Sequence, residues 1–564
     1  MGMPPDIQIA RSVVPLPVEE VAAGMGIPSN RVARWGRDVA KVSLEAIDEM
    51  GPPRAKYVLV TATTPTPFGE GKTTVSLGLG QAFKHIGRNA VVTLRQPSLG
   101  PTFGIKGGAA GGGYAQVIPL ETMNLHLSGD FHAVSAAHNL LAAMVDNSLY
   151  HGNTLGLKLH DVSWRRVVDM NDRALRHIII GLGRAVDGIP RESAFDITSA
   201  SEIMAVLGLS TGIDDLRERL GRLVVGYTYD KEPVTANDIG AAGAMTVLLQ
   251  DALMPNIMQT LEQTPVVVHT GPFANIAHGN CSVLADQIAV RSAEYVITEA
   301  GFGADIGAEK FFNIKSRASG LKPDAAVIVT TVRALKMHSG GHTVRAGRPL
   351  PDSMLQERPD EVTVGAENLR RHIHIVRRHG VNPVVAINAF PTDFPSEHEA
   401  IAKVCDQEGV RWAVSRQYAE GGPGTVELAE MVVAACDEEN DFQFLYPDDM
   451  PLEEKIDTIA TEVYGADGVE YEPAAKRQLA RFEDLGWRHL PICMVKTHRS
   501  LSHDIKLLNA PTGWTLPIRE VRASVGAGFI LPLAGDISTM PGLSSSPSAL
   551  GIDIDAEGNI VGLS

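Results

Sequence analysis

Short, almost unbroken apolar runs recur along this chain, most of them followed by a turn and a stretch with helical spacing. The clearest lie at 57–63 (YVLVTAT), 90–94 (AVVTL), 264–269 (TPVVVH), 294–298 (EYVIT), 325–330 (AAVIVT) and 382–387 (NPVVAI). Runs that are apolar at nearly every position, rather than at every second one, belong to strands covered on both faces. Helical spacing at 75–86 and 368–379 supplies elements to cover them. The pattern predicts an α/β fold with a mainly parallel sheet flanked by helices. In such sheets ligands gather at the carboxyl ends of the strands, so the loops there carry the functional information.

Punctuation between the runs suggests boundaries. A polar, proline-containing stretch at 349–362 and an acidic turn at 437–441 divide the chain into 1–355, 356–450 and 451–564. The expected architecture is a large nucleotide-binding domain followed by two smaller α/β domains. After Thr539 the chain is rich in Ser, Pro and Gly and closes on 552–563, which reads as a hairpin turning at Glu557-Gly558. No internal repeat or low-complexity tract interrupts the pattern.

Composition narrows the possibilities. With 564 residues the chain exceeds one compact core. Its 66 acidic against 50 basic side chains give a formal charge of −16, a balance that argues against nonspecific nucleic-acid binding or an anionic membrane surface. The four cysteines, Cys281, Cys405, Cys436 and Cys493, are scattered without a CxxC pair, which fits a reducing cytoplasm and neither a disulfide framework nor a zinc site. The first sixteen residues lack the pattern of a signal peptide, and no run of about 18 apolar residues occurs. These features predict a cytoplasmic protein with small-molecule ligands.

The most specific local signal follows the first apolar run: Thr66-Pro67-Phe68-Gly69-Glu70-Gly71-Lys72-Thr73-Thr74. A strand, a glycine-rich turn, Gly-Lys-Thr and a helix form the context of a phosphate-binding loop. Glycines let backbone N–H groups turn inward around a polyphosphate, and the helix N-terminus adds partial positive charge. Lys72 is expected at the β- and γ-phosphates and the Thr73 hydroxyl on Mg²⁺, as for MgATP. The motif's usual first glycine is here Thr66.

A second glycine-rich string, 104–114 (GIKGGAAGGGY), follows Arg95-Gln96-Pro97-Ser98-Leu99-Gly100. By composition alone a flexible linker explains it equally well. Its residue order, however, matches a signature of formate–tetrahydrofolate ligases at every position. A second family signature matches 332–341 (VRALKMHSGG), with Ser339 as an insertion. The resemblance continues through 124–132 (NLHLSGDFH), 269–278 (HTGPFANIAH), 299–310, 454–464, 526–529 and 540–543, and so spans nearly the whole chain in order. The chain thus resembles the monofunctional form of that family.

The resemblance implies an enzyme that joins formate to tetrahydrofolate with MgATP through formyl phosphate, yielding 10-formyltetrahydrofolate, ADP and phosphate. It places Arg95 on formyl phosphate, where a planar guanidinium grips phosphate oxygens in pairs. His269, His278 and Asn171 are further candidates for that intermediate. Asp130 is expected near the pterin, as a hydrogen-bond acceptor or proton acceptor, with His126 beside it. Structural alternatives stand beside these roles: a buried histidine often only holds backbone, and Asn171 equally suits a helix cap. His126, His132 and His138 step by six residues and do not stack on one helix face, which disfavours a metal cluster. Phe390 and Tyr418 match the two aromatic residues that sandwich the pterin, Tyr418 standing where tryptophan is usual. Ordinary core packing is the alternative for both, while Trp412 is out of register and expected in the core. Gln96 replaces a glutamate near a region sensitive to monovalent cations, so weaker potassium or ammonium activation is expected. A homotetramer is also implied. The competing reading from another class is a P-loop ATPase switch, supported by the Gly-Lys-Thr-Thr loop alone.

Overall fold

The computed structural model of the chain describes residues 3–104, 110–344, 349–535 and 538–563. Among these residues the main sheet has twelve strands: β1 Val32–Arg34, β2 Ala40–Val42, β3 Lys56–Ala62, β4 Ala90–Leu94, β5 Gly111–Gly112, β6 Ala115–Ile118, β7 Asn256–Thr260, β8 Pro265–Val268, β9 Tyr295–Glu299, β10 Ala325–Thr330, β11 Asn382–Asn388 and β12 Arg411–Ser415. Their spatial order is β1-β2-β7-β8-β4-β9-β3-β10-β11-β12, and the β5–β6 hairpin joins through β7. From β8 to β12 all neighbours are parallel. The other pairs, including β7 with β8, are antiparallel.

The apolar runs are the parallel strands, and side-chain alternation explains why they are apolar throughout. Tyr57 and Leu59 of β3 enter one core while Val58, Val60 and Ala62 enter the other, and β10 and β11 divide in the same way. The Lys72–His85 and Val426–Asp437 helices cover one face. The Val283–Ser292, Glu367–Arg378 and Pro395–Glu408 helices cover the other. Strands of the 356–450 segment extend the same sheet, and the segment beyond it packs Leu452, Ile456, Leu516 and Ile530 into the second face's core.

A third core lies between β6 and β7 in the chain. The helices Asp130–Tyr150, Glu202–Leu209, Ile213–Gly221 and Ala242–Leu249 bury Val134, Leu141, Val206, Leu216 and Met245 together. The closing hairpin forms as expected, pairing Asp553–Ile554 with Ile560–Val561. Trp412 packs partly buried against the core and donates its indole N–H to Asp406. Among the described residues no helix is long and apolar enough to cross a membrane. Because seven strands run parallel, the residues that follow them share one edge of the sheet.

Candidate active site at the carboxyl edge of the sheet

The loop after β3 is held by an internal carboxylate. Glu70 is 1% exposed, and its Oε1 accepts the Thr66 N–H at 2.6 Å. Its Oε2 accepts the Thr331 hydroxyl and faces Arg333 Nε at 3.6 Å. Thr66 in turn accepts the Phe68 N–H on its hydroxyl at 3.2 Å. Thr66 is not among the residues at positive φ, so this position requires no glycine. Gly69 (φ +77°) and Gly71 (φ +72°) do occupy the left-handed region, and Gly71 leads into the helix that begins at Lys72. A Cβ at Gly71 would stand 2.5 Å from Asn388 Nδ2.

Side chains from five other elements lock the loop and the stretch that enters it. Ser415 donates to Gln417, Gln417 to Asn388 Oδ1 at 2.9 Å, and Asn388 to the Glu70 carbonyl at 2.9 Å. The stretch entering the loop is fixed at Thr64, whose N–H and hydroxyl are bonded by Asn368. His338 Nδ1 accepts the Asn509 N–H and His372 Nδ1 accepts the Ala304 N–H, so each ring carries its proton on Nε2. Those protons go to the Thr64 carbonyl and hydroxyl, both at 3.0 Å. Burial depresses both imidazoles, His372 to about 4, which keeps them neutral in this role.

Next to the loop, the ends of β4 and β9 bring opposite charges together. The Thr73 hydroxyl donates to Glu299 Oε2 at 2.8 Å, and Arg95 Nη2 lies 3.8 Å from Glu299 Oε1. Arg95 also donates through Nη1 to the Pro272 carbonyl at 3.1 Å. A threonine hydroxyl and a carboxylate beside a phosphate loop are hard oxygen donors of the kind Mg²⁺ takes together with substrate phosphates.

The loop after β8 supplies the neighbouring wall. His269 is buried, donates from Nε2 to the Ala252 carbonyl at 2.7 Å and accepts the Ser282 hydroxyl on Nδ1 at 2.6 Å. Its burial pulls it down to about 4. Asp130 is likewise interior, 3% exposed, with Oδ1 on Lys41 and Oδ2 on Asn256, both at 2.8 Å. The polar atoms of both residues are thus engaged by protein. His278 differs: it is fully buried and neither ring nitrogen has a hydrogen-bond partner. Burial, then Lys315, Arg95 and Lys310, hold it far below the ordinary histidine range.

Other expected site residues are distributed along the rim. His126 and His132 are exposed and share a 2.9 Å contact between ring nitrogens. His138 is buried elsewhere, stacked on Trp164 and bonded to Ser201. Asn171 packs on the short Leu99–Phe103 helix, where a Cβ at Gly100 would meet its Oδ1 at 2.4 Å. Phe390 follows β11 and lies under the Arg333 guanidinium at 4.0 Å. Tyr418 follows β12, is 45% exposed, bonds Asp6 through its hydroxyl at 3.3 Å and packs on Gly112 and Gly113. Gln96 is buried, donates its N–H to the Thr270 carbonyl at 2.6 Å and leaves Oε1 unpartnered. Residues 105–109 of the glycine string lie outside the described residues.

Glu299, Arg333, Asn388 and Gln417 had no assigned role in the sequence reading. Glu299 closes an apolar run and Asn388 lies one residue beyond another, positions that were signal enough in a parallel sheet.

The chain is similar to known proteins over its whole length. The family model described as formate–tetrahydrofolate ligase matches residues 4–564. A protein of Saccharopolyspora erythraea named formate–tetrahydrofolate ligase is 61% identical over the whole of both chains. One of the same name from Cutibacterium acnes is 57% identical, again over the whole of both. Formate–tetrahydrofolate ligase 3 of Rubrobacter xylanophilus is 58% identical over 99% of each.

Proposed function

This chain belongs to the formate–tetrahydrofolate ligase family, and from that premise we propose how its sheet edge joins formate to tetrahydrofolate at the expense of ATP. The chain is a ligase of one-carbon metabolism. The observation that carries the mechanism is the contiguity of Thr73, Glu299 and Arg95 beside the locked loop.

The 66–74 loop takes the ATP phosphates on its N–H groups in a P-loop NTPase-like manner, with Lys72 at the β- and γ-phosphates. Thr73 and Glu299 would hold Mg²⁺, which supplies neutralisation of the phosphate charge. A formate oxygen attacks the γ-phosphorus, the bond to the ADP oxygen breaks, and formyl phosphate forms. Arg95 stays on the transferred phosphoryl oxygens through both half-reactions, so charge building on them meets a fixed cation. The folate amine then attacks the formyl carbon, the bond from that carbon to the phosphate oxygen breaks, and the departing phosphate takes up the amine's proton. Phe390, steadied by Arg333, and Tyr418 bracket the pterin. Asp130 and His269 act as positioning residues: with Lys41 and Asn256 they fix the end of β8, while His278 and Asn171 border the intermediate. Gln96 offers one neutral oxygen where the family's glutamate offers a charge, so a weaker response to monovalent cations is expected. The chain works in the cytoplasm as a homotetramer, its nucleotide domain spanning 1–355, with 356–450 carrying the folate aromatics and 451–564 closing the fold.

The test is ADP release with MgATP, formate and tetrahydrofolate, omitting each in turn, with Lys72→Ala as control. ADP and formylated folate appearing only with all three substrates, and lost in the variant, is the expected result. ADP released without formate or folate would instead support an ATPase switch.

A further inference from the structure

We propose that Asp6 and Glu262 are positioning residues for tetrahydrofolate, holding the loop that presents Tyr418 from two points outside the site. The inference rests on the reading of Tyr418 as a pterin-binding ring and adds what sets that ring's place.

Tyr418 is 45% exposed, and a ring so open to water is not oriented by core packing alone. Polar contacts do the rest. The Tyr418 hydroxyl donates to Asp6 Oδ1 at 3.3 Å, and the same oxygen accepts the Gly113 N–H at 2.9 Å. Gln116 Nε2 donates to the Asp6 carbonyl at 3.0 Å and to the Gly113 carbonyl at 2.8 Å, which fixes the start of the Asp6–Arg11 helix on the β5–β6 hairpin. Burial, then the Asp6 charge, raise the Tyr418 phenol above its ordinary value, so the hydroxyl remains a donor.

The backbone of the loop is held separately. The Tyr114 N–H donates to the Tyr418 carbonyl at 3.0 Å. Gln81 Nε2, on the Lys72–His85 helix, donates to the Tyr114 carbonyl at 3.1 Å and to Glu262 Oε1 at 2.7 Å. Glu262 stands in the turn between β7 and β8. Its Oε1 also accepts the Gly422 N–H at 2.6 Å, and its Oε2 meets His85 Nε2 at 2.6 Å. One carboxylate thus ties the loop after β12 to the far end of the helix that begins at the phosphate loop. Gln81 and His85 lie roughly 14 and 20 Å along the axis from Lys72, so this tie acts on the folate side and leaves the phosphate loop to its own supports.

Glycines make the close approach possible. Gly113 has φ +57°, and a Cβ there would press into the Tyr418 carbonyl. Gly421 has φ +65°, and a Cβ there would stand 2.6 Å from Glu262 Oε1. The described end of the second glycine string is therefore a seat for the Tyr418 loop rather than a flexible linker.

Calorimetric titration of the full-length enzyme with tetrahydrofolate, without ATP or formate, tests the assignment beside steady-state KM values and thermal midpoints. Tyr418→Ala should weaken folate binding, which checks the role of the ring itself. Glu262→Ala should raise the folate Kd roughly 10- to 100-fold and Asp6→Ala roughly 3- to 10-fold, the equilibrium equivalents of losing a charge-assisted and an ordinary hydrogen bond. The KM values for ATP and formate should move less than about twofold, a negligible free-energy change. Asp6→Asn keeps an oxygen acceptor and should restore most of the affinity lost in the alanine variant. In a Tyr418→Phe background Asp6→Ala should cost less than in the parent, because part of its effect passes through the hydroxyl. If Glu262→Ala does not fold, the Asp6 variants decide. Folate affinity unchanged in both alanine variants, while Tyr418→Ala weakens it, would overturn the proposal. So would a lowered midpoint with all three KM values moving together, the mark of a general structural role. Folate binding untouched by Tyr418→Ala would overturn the placement of the ring and this inference with it. A parent enzyme that releases ADP without folate would instead overturn the ligase reading.

Discussion

Glu299 and Glu70 stand at the ends of two interactions that look alike and do different work. Glu70 is pinned by Thr66, Thr331 and Arg333 and shapes the loop from within. Glu299 accepts the Thr73 hydroxyl and stands 3.8 Å from Arg95, beside the phosphate loop rather than within it. Glu299→Gln keeps the shape and removes the charge. It should lower the rate by about 10²–10³-fold, the scale of losing one transition-state electrostatic contact, and raise the Mg²⁺ concentration needed for half-maximal ADP release. A magnesium titration that superimposes on the parent's would remove Glu299 from the metal. At this scale the placing of Thr73 and Arg95 at one edge of the sheet was legible, because both directly follow or flank the ends of buried strands. Gln417 was not, since nothing in the local sequence marks it as the support of Asn388.

At the scale of elements, the junction between the Lys72–His85 helix and the loop after β12 sets the geometry of the phosphate site. Gly78 lies inside that helix, where alanine would ordinarily gain about 1 kcal/mol in propensity. Here a Cβ would stand 2.2 Å from Gln417 Cβ and 3.1 Å from Thr425 Oγ1, in a wholly buried contact. Overpacking of this kind costs about 1–3 kcal/mol, so Gly78→Ala should be destabilising overall. Because Gln417 supports Asn388 and Asn388 supports the loop, the ATP KM should rise as well. A higher urea midpoint, as propensity alone predicts, would show that the helix does not press on the loop. The six apolar runs located six of the seven parallel strands, since burial on both faces leaves no polar position to confuse the pattern. The seventh, β12, reads Arg-Trp-Ala-Val-Ser and is only half-buried at the sheet's edge. β1 and β2 were missed because one is largely exposed and the other carries Lys41, whose charge is satisfied by Asp130 from a distant helix. The third core was hidden because Glu202–Leu209 and Ala242–Leu249 are apolar nearly all round and show no amphipathic face.

Across the whole molecule, the same buried groups that hold the loops make stability depend on pH in a calculable direction. His138 is depressed to about 3, His269, His372 and His379 to about 4, and His278 well below its ordinary value, all chiefly by burial. A histidine depressed in the folded state contributes stability that is complete above its unfolded value near 6.5 and lost as pH falls through the folded value. Glu202 and Glu309 are raised by burial to about 7, which has the opposite sign. Their contribution is present below the unfolded carboxyl value and lost as pH rises through about 7. His338 and His374 are depressed as well, and Asp169 is raised. Between about pH 4.5 and 6.5 the depressed histidines outnumber the raised carboxyls, so the unfolded chain binds more protons than the folded one and stability rises with pH. The thermal midpoint should climb steeply from pH 5 to 6.5 and flatten above 7. Glu202, which accepts the Ala527 N–H at 3.1 Å and so ties the C-terminal segment to the third core, separates the two contributions. Glu202→Gln should raise the midpoint at pH 8, where the parent carries a buried charge, and change it much less at pH 4.5, where that carboxyl is neutral in the fold and about half-ionised in the unfolded chain. A parent profile flat from pH 5 to 8 would mean that the histidines are protonated within the fold. A variant that gains nothing at pH 8 would mean that backbone N–H groups fully compensate the Glu202 charge.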